Sequence, residues 1–200
     1  EKIFVKPNFV DPDPGVGEGK GGYALFVGRL SVEKGIDVLL DAWAQLGTKI
    51  PLKILGDGPL ASKVSETTQQ LPGIEWLGRR PMEDVYALMQ NAQFLIFPSK
   101  WYEGLPRTLI ESFACGTPVI AANLGAMSSF VTHYETGLHF QPGDAADLVT
   151  QVEWAIAHPD LLFKMRQNAR TEFETKYTSS ESYQQLAKIY EQAYFQKTPS

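Results

Sequence analysis

The sequence predicts a doubly wound α/β domain, in which helices cover both faces of a parallel sheet. Short apolar runs, typical of strands, alternate with longer segments whose apolar residues recur at helical spacing. The short runs lack polar alternation, which favours strands buried on both faces, and the connections between elements are short. Together these observations predict a Rossmann-like fold, whose ligands bind at the carboxyl ends of the strands.

Each predicted element follows from its local pattern, from residue 23 onward. Strands are expected at 23–27, 52–55, 74–77, 94–97, 119–121 and 138–140. Helices are expected at 34–46, 60–70, 82–91, 106–115, 144–158, 161–176 and 179–194, with a short turn or helix near 128–131. Residues 1–22 are predicted to be a connector with a flexible glycine-rich loop, residues 23–177 the ligand-binding domain, and residues 178–200 a C-terminal helix.

Composition narrows the functional classes. Apolar residues make up 44% of the 200 residues, enough for a sizeable core. The net charge of -5 argues against a nucleic-acid-binding protein with a broad basic face, although it leaves room for a small basic pocket. The histidines have no metal-ligand spacing, so no metal is expected. Cys115 is the only cysteine and lies in an apolar run, so we expect a buried thiol and a cytoplasmic setting.

Two further expectations concern the chain as a whole. No apolar run is long enough to span a membrane as a helix. The sequence begins without an initiator methionine, so we expect it to be part of a longer protein.

Candidate binding residues follow the predicted strands. This rule selects Gly28 and Arg29, Gly56 to Gly58, Gly78 to Arg80, Pro98 and Ser99, and Asn123. In the first of these loops Gly28 permits a tight turn, and Arg29 and Lys34 bring two cations to the ligand edge. A cation at a helix start opposes the helix dipole, so Lys34 makes more sense facing an anion. The alternative is a solvated group in which Glu33 neutralises one cation.

The segment from Glu103 to Glu111 opens the helix predicted at 106–115, and Pro106 suits its first position. The free amides of Arg107 and Thr108 would form an anion site at the helix N-terminus. Glu103 can hydrogen-bond a polyol such as a sugar, and Glu111 can accept two ribose hydroxyls. The alternative is a capping acid followed by a surface acid.

A rival interpretation starts from Gly56, Gly58 and Ala61, which match a degenerate dinucleotide-binding fingerprint with Glu75 about 20 residues on. Pro59 weakens this match, because it removes an amide from the turn that should hold pyrophosphate. Glu75 also falls inside a predicted strand rather than at its end. In the next loop, a base could stack on the guanidinium of Arg79, although a solvated loop is equally consistent with the sequence.

Four motifs in order resemble the C-terminal domain of the family-four retaining glycosyltransferases, which have the GT-B fold. Segments 7–11, 28–35 and 56–59 are similar to the family's "PNGVD", "GRL…EKG" and "GDGP". Glu103 and Glu111 match its two glutamates separated by seven residues, followed by a segment similar to "EAMACGTPVI". The resemblance covers nearly the whole chain. Phe9 and Pro106 stand where the family usually has glycine, and a proline has no amide for a sugar contact.

The resemblance implies a role for each candidate residue. Arg29, Lys34 and Glu103 would be catalytic: the two cations bind the donor diphosphate and stabilise the leaving group, and Glu103 holds the sugar. The remaining nucleotide-sugar-binding residues would be Gly28, Gly56, Gly58, Arg79 near the base, the backbone of Gly104, Leu105 and Pro106, the amides of Arg107 and Thr108, and Glu111 at the ribose. No metal or other cofactor is implied.

The implied enzyme is a hexosyltransferase of polysaccharide or glycoconjugate synthesis. Its donor would be a nucleotide diphosphate sugar such as UDP-glucose, and its acceptor a saccharide or a lipid-linked molecule. Acceptor binding would belong to a separate N-terminal domain, against which the C-terminal helix packs and which would carry any peripheral membrane attachment. We therefore expect this chain alone to bind donor without efficient transfer. Three alternatives remain: a nucleotide-sugar epimerase, a nicotinamide or flavin dinucleotide-binding module, and a non-catalytic nucleotide-sugar sensor.

Overall fold

A computed structural model describes residues 3–195 and contains a six-stranded, entirely parallel sheet in the order β3-β2-β1-β4-β5-β6. The strands are β1 (Ala24–Val27), β2 (Leu52–Leu55), β3 (Ile74–Gly78), β4 (Phe94–Phe97), β5 (Val119–Ala122) and β6 (Gly137–Phe140). The helices are α1 (Ile36–Leu46), α2 (Ala61–Gln70), α3 (Met82–Asn91), α4 (Arg107–Ala114), α5 (Ala126–Phe130), α6 (Ala145–Ala157), α7 (Pro159–Lys176) and α8 (Ser179–Phe195). The predicted doubly wound fold is confirmed.

The strands separate two hydrophobic cores, one on each face of the sheet. On one face α1 and α6 pack over β1, where Ala24 and Phe26 point. On the other face α3, α4 and α7 pack over Leu25 and Leu95. Because successive strand residues point to opposite faces, burial on both sides requires the continuous apolar runs from which the strands were predicted.

The strand order changes direction between β1 and β4, since β2 lies on one side of β1 and β4 on the other. The helices that follow these two strands therefore leave on opposite faces, and a crevice opens above the carboxyl ends of β1 and β4. The loops that leave these two strands carry Gly28 to Gly35 and Pro98 to Pro106. The topology therefore brings two of the four sequence motifs to one place.

Four helices begin one or two residues later than predicted, namely α1, α2, α4 and α6. Helix α1 begins at Ile36 instead of residue 34, because Gly35 before it has a left-handed backbone with φ 71°. Helix α4 begins at Arg107, and Pro106 is its extended N-cap residue. Lys34 consequently lies in the loop before α1 and not in its first turn.

The glycine-rich segment, predicted as a flexible loop, forms hydrogen bonds with the rest of the domain. The amides of Gly17, Gly19 and Gly21 donate to the carbonyls of Cys115, Gln90 and Asn91 at 3.1, 2.9 and 2.8 Å. The buried guanidinium of Arg166 donates to the Gly17 carbonyl at 3.1 Å and to the Gln90 carbonyl at 2.8 Å. The segment has no regular secondary structure, but its backbone polar groups are paired with the carbonyls at the ends of α3 and α4.

Other predictions concern single features of the chain. Cys115 is fully buried as predicted, and this burial raises the pKa of its thiol to about 12. Helix α8 keeps much of its apolar surface in solvent, including Tyr183 and Tyr190. Within residues 3–195 no helix combines the length and the apolar character needed to span a membrane.

Candidate functional site

A pocket of about 210 Å³ lies at the crevice above β1 and β4. Its lining comes from β1 and its loop, from β4 and its loop, and from the start of α4: Phe26, Val27, Gly28, Arg29, Lys34, Phe97, Pro98, Ser99, Pro106 and Thr108. A wider depression of about 460 Å³ is lined by Gly28, Arg29, Gly56, Asp57, Gly58 and Arg79. Because both linings include Gly28 and Arg29, the two cavities meet at the turn after β1.

The glycines after β2 allow two turns to pack closely. A Cβ atom on Gly56, whose φ is 130°, would lie 1.8 Å from the Gly28 carbonyl oxygen. A Cβ atom on Gly58 would lie 2.5 Å from the Leu30 carbonyl oxygen. The Leu30 amide also donates to the Asp57 carbonyl at 3.0 Å. Gly56 and Gly58 thus allow the turn at Gly28 to pack closely against the turn after β2. The sequence predicted them as binding residues and did not indicate this packing role.

Lys34 and Glu103 form an ion pair between the two loops. Lys34 Nζ lies 2.6 Å from Glu103 Oε2, and the two side chains are 28% and 19% exposed. The same ammonium group lies 5.7 Å from the ring centroid of Phe97 at the end of β4. Lys34 is therefore paired with Glu103. Within the described residues Glu33, the predicted alternative partner of one cation, forms no salt bridge with Arg29 or Lys34, although both attract its carboxylate.

Ser99 is a residue to which the sequence assigned no role beyond its position after β4. Its side chain is 1% exposed, and its Oγ lies 2.5 Å from Glu103 Oε1 and 3.1 Å from the Glu33 carbonyl oxygen. The only signal in the sequence was its place at a strand end, since a serine four residues before a glutamate is too common to indicate a contact.

The N-terminus of α4 faces the pocket through Thr108. No side chain caps this helix, and its N-cap residue, Pro106, has an extended backbone. Its first amides are therefore not satisfied by a side chain and carry the positive end of the helix dipole. This arrangement fits the predicted anion site at Arg107 and Thr108.

Glu111 lies inside the protein, so the alternative of a helical surface acid is wrong. The residue is 6% exposed, and its Oε1 lies 2.8 Å from Arg107 Nε. Burial raises the pKa of the Glu111 carboxyl, while the Arg107 guanidinium opposes that shift. A ligand hydroxyl that approaches this carboxylate would meet the Arg107 side chain, which is 59% exposed.

Arg29 and Arg79, the other two arginines among the predicted binding residues, are exposed to solvent. Arg29 is exposed, and within residues 3–195 its guanidinium has neither a hydrogen bond nor a salt bridge. The side chain of Arg79 is 82% exposed, with Nε 3.6 Å from Asp57 Oδ2. Both line the wider depression. They are placed to meet a ligand that extends from the pocket across the turn after β1.

The structure brings together most, but not all, of the predicted site residues. Five of them line the pocket: Gly28, Arg29, Lys34, Pro106 and Thr108. Glu103 is not part of the lining, but it forms a salt bridge with Lys34, which is. Gly56, Gly58 and Arg79 line the wider depression. Gly104, Leu105, Arg107 and Glu111 line neither cavity. Gly104 is exposed, and the Leu105 carbonyl accepts a hydrogen bond from Asn8 Nδ2 at 3.2 Å.

The rival dinucleotide interpretation needs Glu75 at the end of a strand. Glu75 instead lies inside β3, opposite Lys53 of β2, and its carboxylate is 3.6 Å from the Lys53 ammonium group. This pairing accounts for the residue as a cross-strand contact, away from the crevice.

The sequence also matches the model of a known family, "Glycosyl transferases group 1", over residues 13–172. The chain belongs to this family. As a group 1 glycosyltransferase chain, it is 30% identical over 193 residues to an uncharacterized glycosyltransferase of Methanocaldococcus jannaschii, covering 96% of this chain and 54% of that protein. It is 32% identical over 161 residues to the D-rhamnosyltransferase WbpZ of Pseudomonas aeruginosa, covering 78% of this chain and 42% of that protein. The chain thus spans about half the length of these relatives.

Solved structures of similar proteins share the fold of this group 1 chain. Sucrose-phosphate synthase of Thermosynechococcus elongatus superposes with a TM-score of 0.84 at 24% identity, covering 97% of this chain and 53% of that one. HepE of Anabaena, in complex with UDP and glucose, superposes with a TM-score of 0.76 at 25% identity, covering 87% of this chain and 49% of that one. These likenesses confirm the predicted half of a GT-B fold.

Proposed function

We propose that this chain is the donor-binding domain of a retaining glycosyltransferase that transfers a hexose from a nucleotide diphosphate sugar, with UDP-glucose as the first candidate. The observation that carries the proposal is the pocket at the switch point of the sheet. There Arg29, Lys34 and the uncapped start of α4 surround a space next to the carboxylate of Glu103. Cations and free helix amides suit a diphosphate, and a carboxylate suits a sugar hydroxyl.

The proposed chemistry uses these groups at the leaving group. When the bond between the anomeric carbon and the phosphate oxygen breaks, its electron pair stays on that oxygen, and negative charge grows on the departing nucleotide. Arg29, Lys34 and the α4 amides would stabilise this charge more strongly than they stabilise the bound donor, which lowers the barrier. Because these groups supply the positive charge, we expect donor binding without a metal ion.

The ion pair between Lys34 and Glu103 bears on how a donor would bind. The ammonium group of Lys34 already has a carboxylate partner within the chain. A bound diphosphate would share Lys34 with Glu103, while Arg29 has no hydrogen bond or salt bridge within residues 3–195 and only a longer-range attraction to Glu33. We therefore propose that Arg29 contributes most to affinity for the bare nucleotide, and that Lys34 links diphosphate binding to sugar binding.

The acceptor side of the reaction is proposed from the length of the relatives. Since the chain covers about half of each, we propose that a second, N-terminal domain supplies acceptor binding and that this chain alone transfers sugar inefficiently. Residues 1–22 would then connect the two domains, and α8 in segment 178–200 would pack toward the second one. We propose a saccharide or a lipid-linked molecule as acceptor, in polysaccharide or glycoconjugate synthesis in the cytoplasm.

Calorimetric titration tests the donor proposal directly. We would titrate the chain with UDP, GDP, ADP, UDP-glucose, GDP-mannose and NAD, with EDTA present. Saturable binding of one nucleoside diphosphate and its sugar is expected, weakened about tenfold or more in Arg29→Ala and Glu111→Ala, because each removes a charged hydrogen-bonding partner.

A matched control is Arg80→Ala, which removes an exposed arginine of the neighbouring loop that lines neither cavity of the site. Its affinity should stay within about twofold of the wild type, since loss of a solvated charge outside the site has little effect. Binding of NAD alone, or of none of these ligands, would contradict the proposal. In a longer protein that contains this chain, UDP release that depends on an added acceptor would separate a transferase from an epimerase.

A further inference from the structure

We infer that Ser99 is the positioning residue that orients the Glu103 carboxylate for the transferred sugar, so that it governs affinity for the sugar and not for the nucleotide. The inference rests on the proposed function for the meaning of Glu103 as a sugar contact. The part of the inference in which Ser99 fixes the orientation of Glu103 rests on the geometry alone.

The hydroxyl of Ser99 has one proton and two acceptors within reach. These are Glu103 Oε1 at 2.5 Å and the Glu33 carbonyl oxygen at 3.1 Å. The Glu33 carbonyl already accepts the amide proton of Lys100 at 2.9 Å. A carboxylate is also the stronger acceptor. The proton of Ser99 therefore goes to Glu103.

The carboxylate of Glu103 is then held at both oxygens. Ser99 donates to Oε1 and Lys34 to Oε2, at 2.5 and 2.6 Å. A carboxylate offers about four lone-pair positions. Two remain for a ligand, in directions fixed by the two donors that hold the group. A carboxylate fixed in this way favours a donor whose sugar presents hydroxyls in a matching arrangement.

Ser99 can act as a fixed donor because its surroundings do not let it turn into solvent. It is 1% exposed. Its loop is tied to the loop before α1 by the hydrogen bond from the Lys100 amide to the Glu33 carbonyl. It is also tied to the first turn of α1, because Lys100 Nζ lies 2.7 Å from Asp37 Oδ2. A hydroxyl in such a setting loses little additional freedom when it forms its hydrogen bond.

The first test compares sugar nucleotide with bare nucleotide in Ser99→Ala. In calorimetry with UDP and UDP-glucose, or with GDP and GDP-mannose if the wild type prefers guanosine, the affinity for the bare nucleotide should stay within about twofold. The additional affinity that the sugar confers should fall about tenfold, as expected for loss of a hydrogen bond to a charged group. Ser99→Thr, which keeps the hydroxyl, should recover part of that affinity.

Ser112→Ala is the matched control. Ser112 is also fully buried, and its hydroxyl donates to the Thr117 carbonyl at 2.8 Å, away from Glu103. The Ser112→Ala variant should be less stable than the wild type, with an unchanged ratio of the affinity for sugar nucleotide to the affinity for bare nucleotide. An unchanged ratio in Ser99→Ala, or an equal loss for bare nucleotide and sugar nucleotide, would overturn the inference.

Crystal structures of the wild type and Ser99→Ala supply a readout that needs no ligand. The Glu103 carboxylate should hold one orientation in the wild type and leave it in the variant. If the wild type binds no nucleotide, the proposed function fails, and these two structures still decide whether Ser99 orients Glu103. An unchanged carboxylate in Ser99→Ala would refute that role.

Discussion

At the scale of single residues, the unusual group is the buried carboxylate of Glu111. Burial raises the pKa of its carboxyl above the ordinary value of 4.5, and the salt bridge with Arg107 offsets part of that shift. As the pH falls, Glu111 therefore takes up its proton earlier than an exposed glutamate does. In the proposed contact with ribose, a protonated Glu111 would accept fewer hydrogen bonds from the hydroxyls, so we expect its ionisation state to control nucleotide affinity.

We expect nucleotide affinity to fall as the pH is lowered from 7 through the folded-state pKa of Glu111, which lies above 4.5, and to level off once the carboxyl is protonated. Glu111→Gln should bind more weakly at pH 7 and keep only the pH dependence of the ligand phosphate. Calorimetry across this range checks both, with Glu83→Gln, an exposed acid of α3, as control. Identical pH profiles for wild type and Glu111→Gln would show that Glu111 does not contact the nucleotide.

The raised pKa of Glu111 also makes the stability of the folded state depend on pH. Because the folded state binds the Glu111 proton more tightly than the unfolded state, the contribution of this group to stability is greatest at low pH. It falls as the pH rises from 4.5 through the folded-state pKa. This dependence is opposite to that of a salt-bridged surface acid. It would be absent in Glu111→Gln, so urea unfolding of the two proteins at several pH values isolates it.

At the scale of secondary-structure elements, the site depends on how closely the loops after β1 and β4 approach. A Cβ atom on Gly35, whose φ is 71°, would lie 1.9 Å from the Pro98 carbonyl oxygen. Glycine is therefore required at position 35 for two reasons, namely its left-handed backbone conformation and the close contact with Pro98. This contact places Lys34 beside Glu103.

Gly35→Ala should destabilise the fold by about 3 kcal/mol or more and weaken nucleotide binding, because the loops must move apart. Gly143→Ala is the matched control, since Gly143 has φ 80° and no atom within 4 Å of the added Cβ. It should lower stability by only about 1–2 kcal/mol and leave nucleotide binding unchanged. Urea unfolding and calorimetry measure the two effects. Equal losses of stability in both variants would mean that the contact with Pro98 contributes little.

At the scale of the whole molecule, α8 is the element least integrated with the domain. The residues of both hydrophobic cores lie between Val10 and Tyr177. Helix α8 makes polar contacts at its start, where Ser182 Oγ accepts from Lys6 Nζ at 2.7 Å and Ser179 Oγ lies 3.1 Å from Asp11 Oδ1. Its apolar side chains Tyr183 and Tyr190 are 74% and 68% exposed. This surface fits the proposed packing of α8 toward a second domain.

Removal of residues 179–200 should leave a folded domain. We expect the free energy of unfolding to fall by less than about 2 kcal/mol and nucleotide affinity to stay unchanged, because little apolar surface is lost from the cores. A longer truncation that starts at residue 159 should unfold the chain, since it also removes Met165, Ala169 and Phe173 from the cores. Urea unfolding followed by circular dichroism compares the two. Loss of folding in the shorter truncation would contradict this view.

The sequence by itself determined the sheet, its helices and the edge that carries the site. Strands β2 and β4 and helix α3 begin and end at the predicted residues, because the periodicity of apolar residues is a local property that reflects which faces are buried. The alternation of strands and helices then predicted a binding site at the carboxyl ends of the strands. Only the tertiary structure decided the ion pair between Lys34 and Glu103, the hydroxyl of Ser99 at that carboxylate, the burial of Glu111 and the anchoring of the glycine-rich segment by Arg166. Most of these contacts join residues far apart in the chain, and burial depends on how all the elements pack together, so no local pattern could have indicated them.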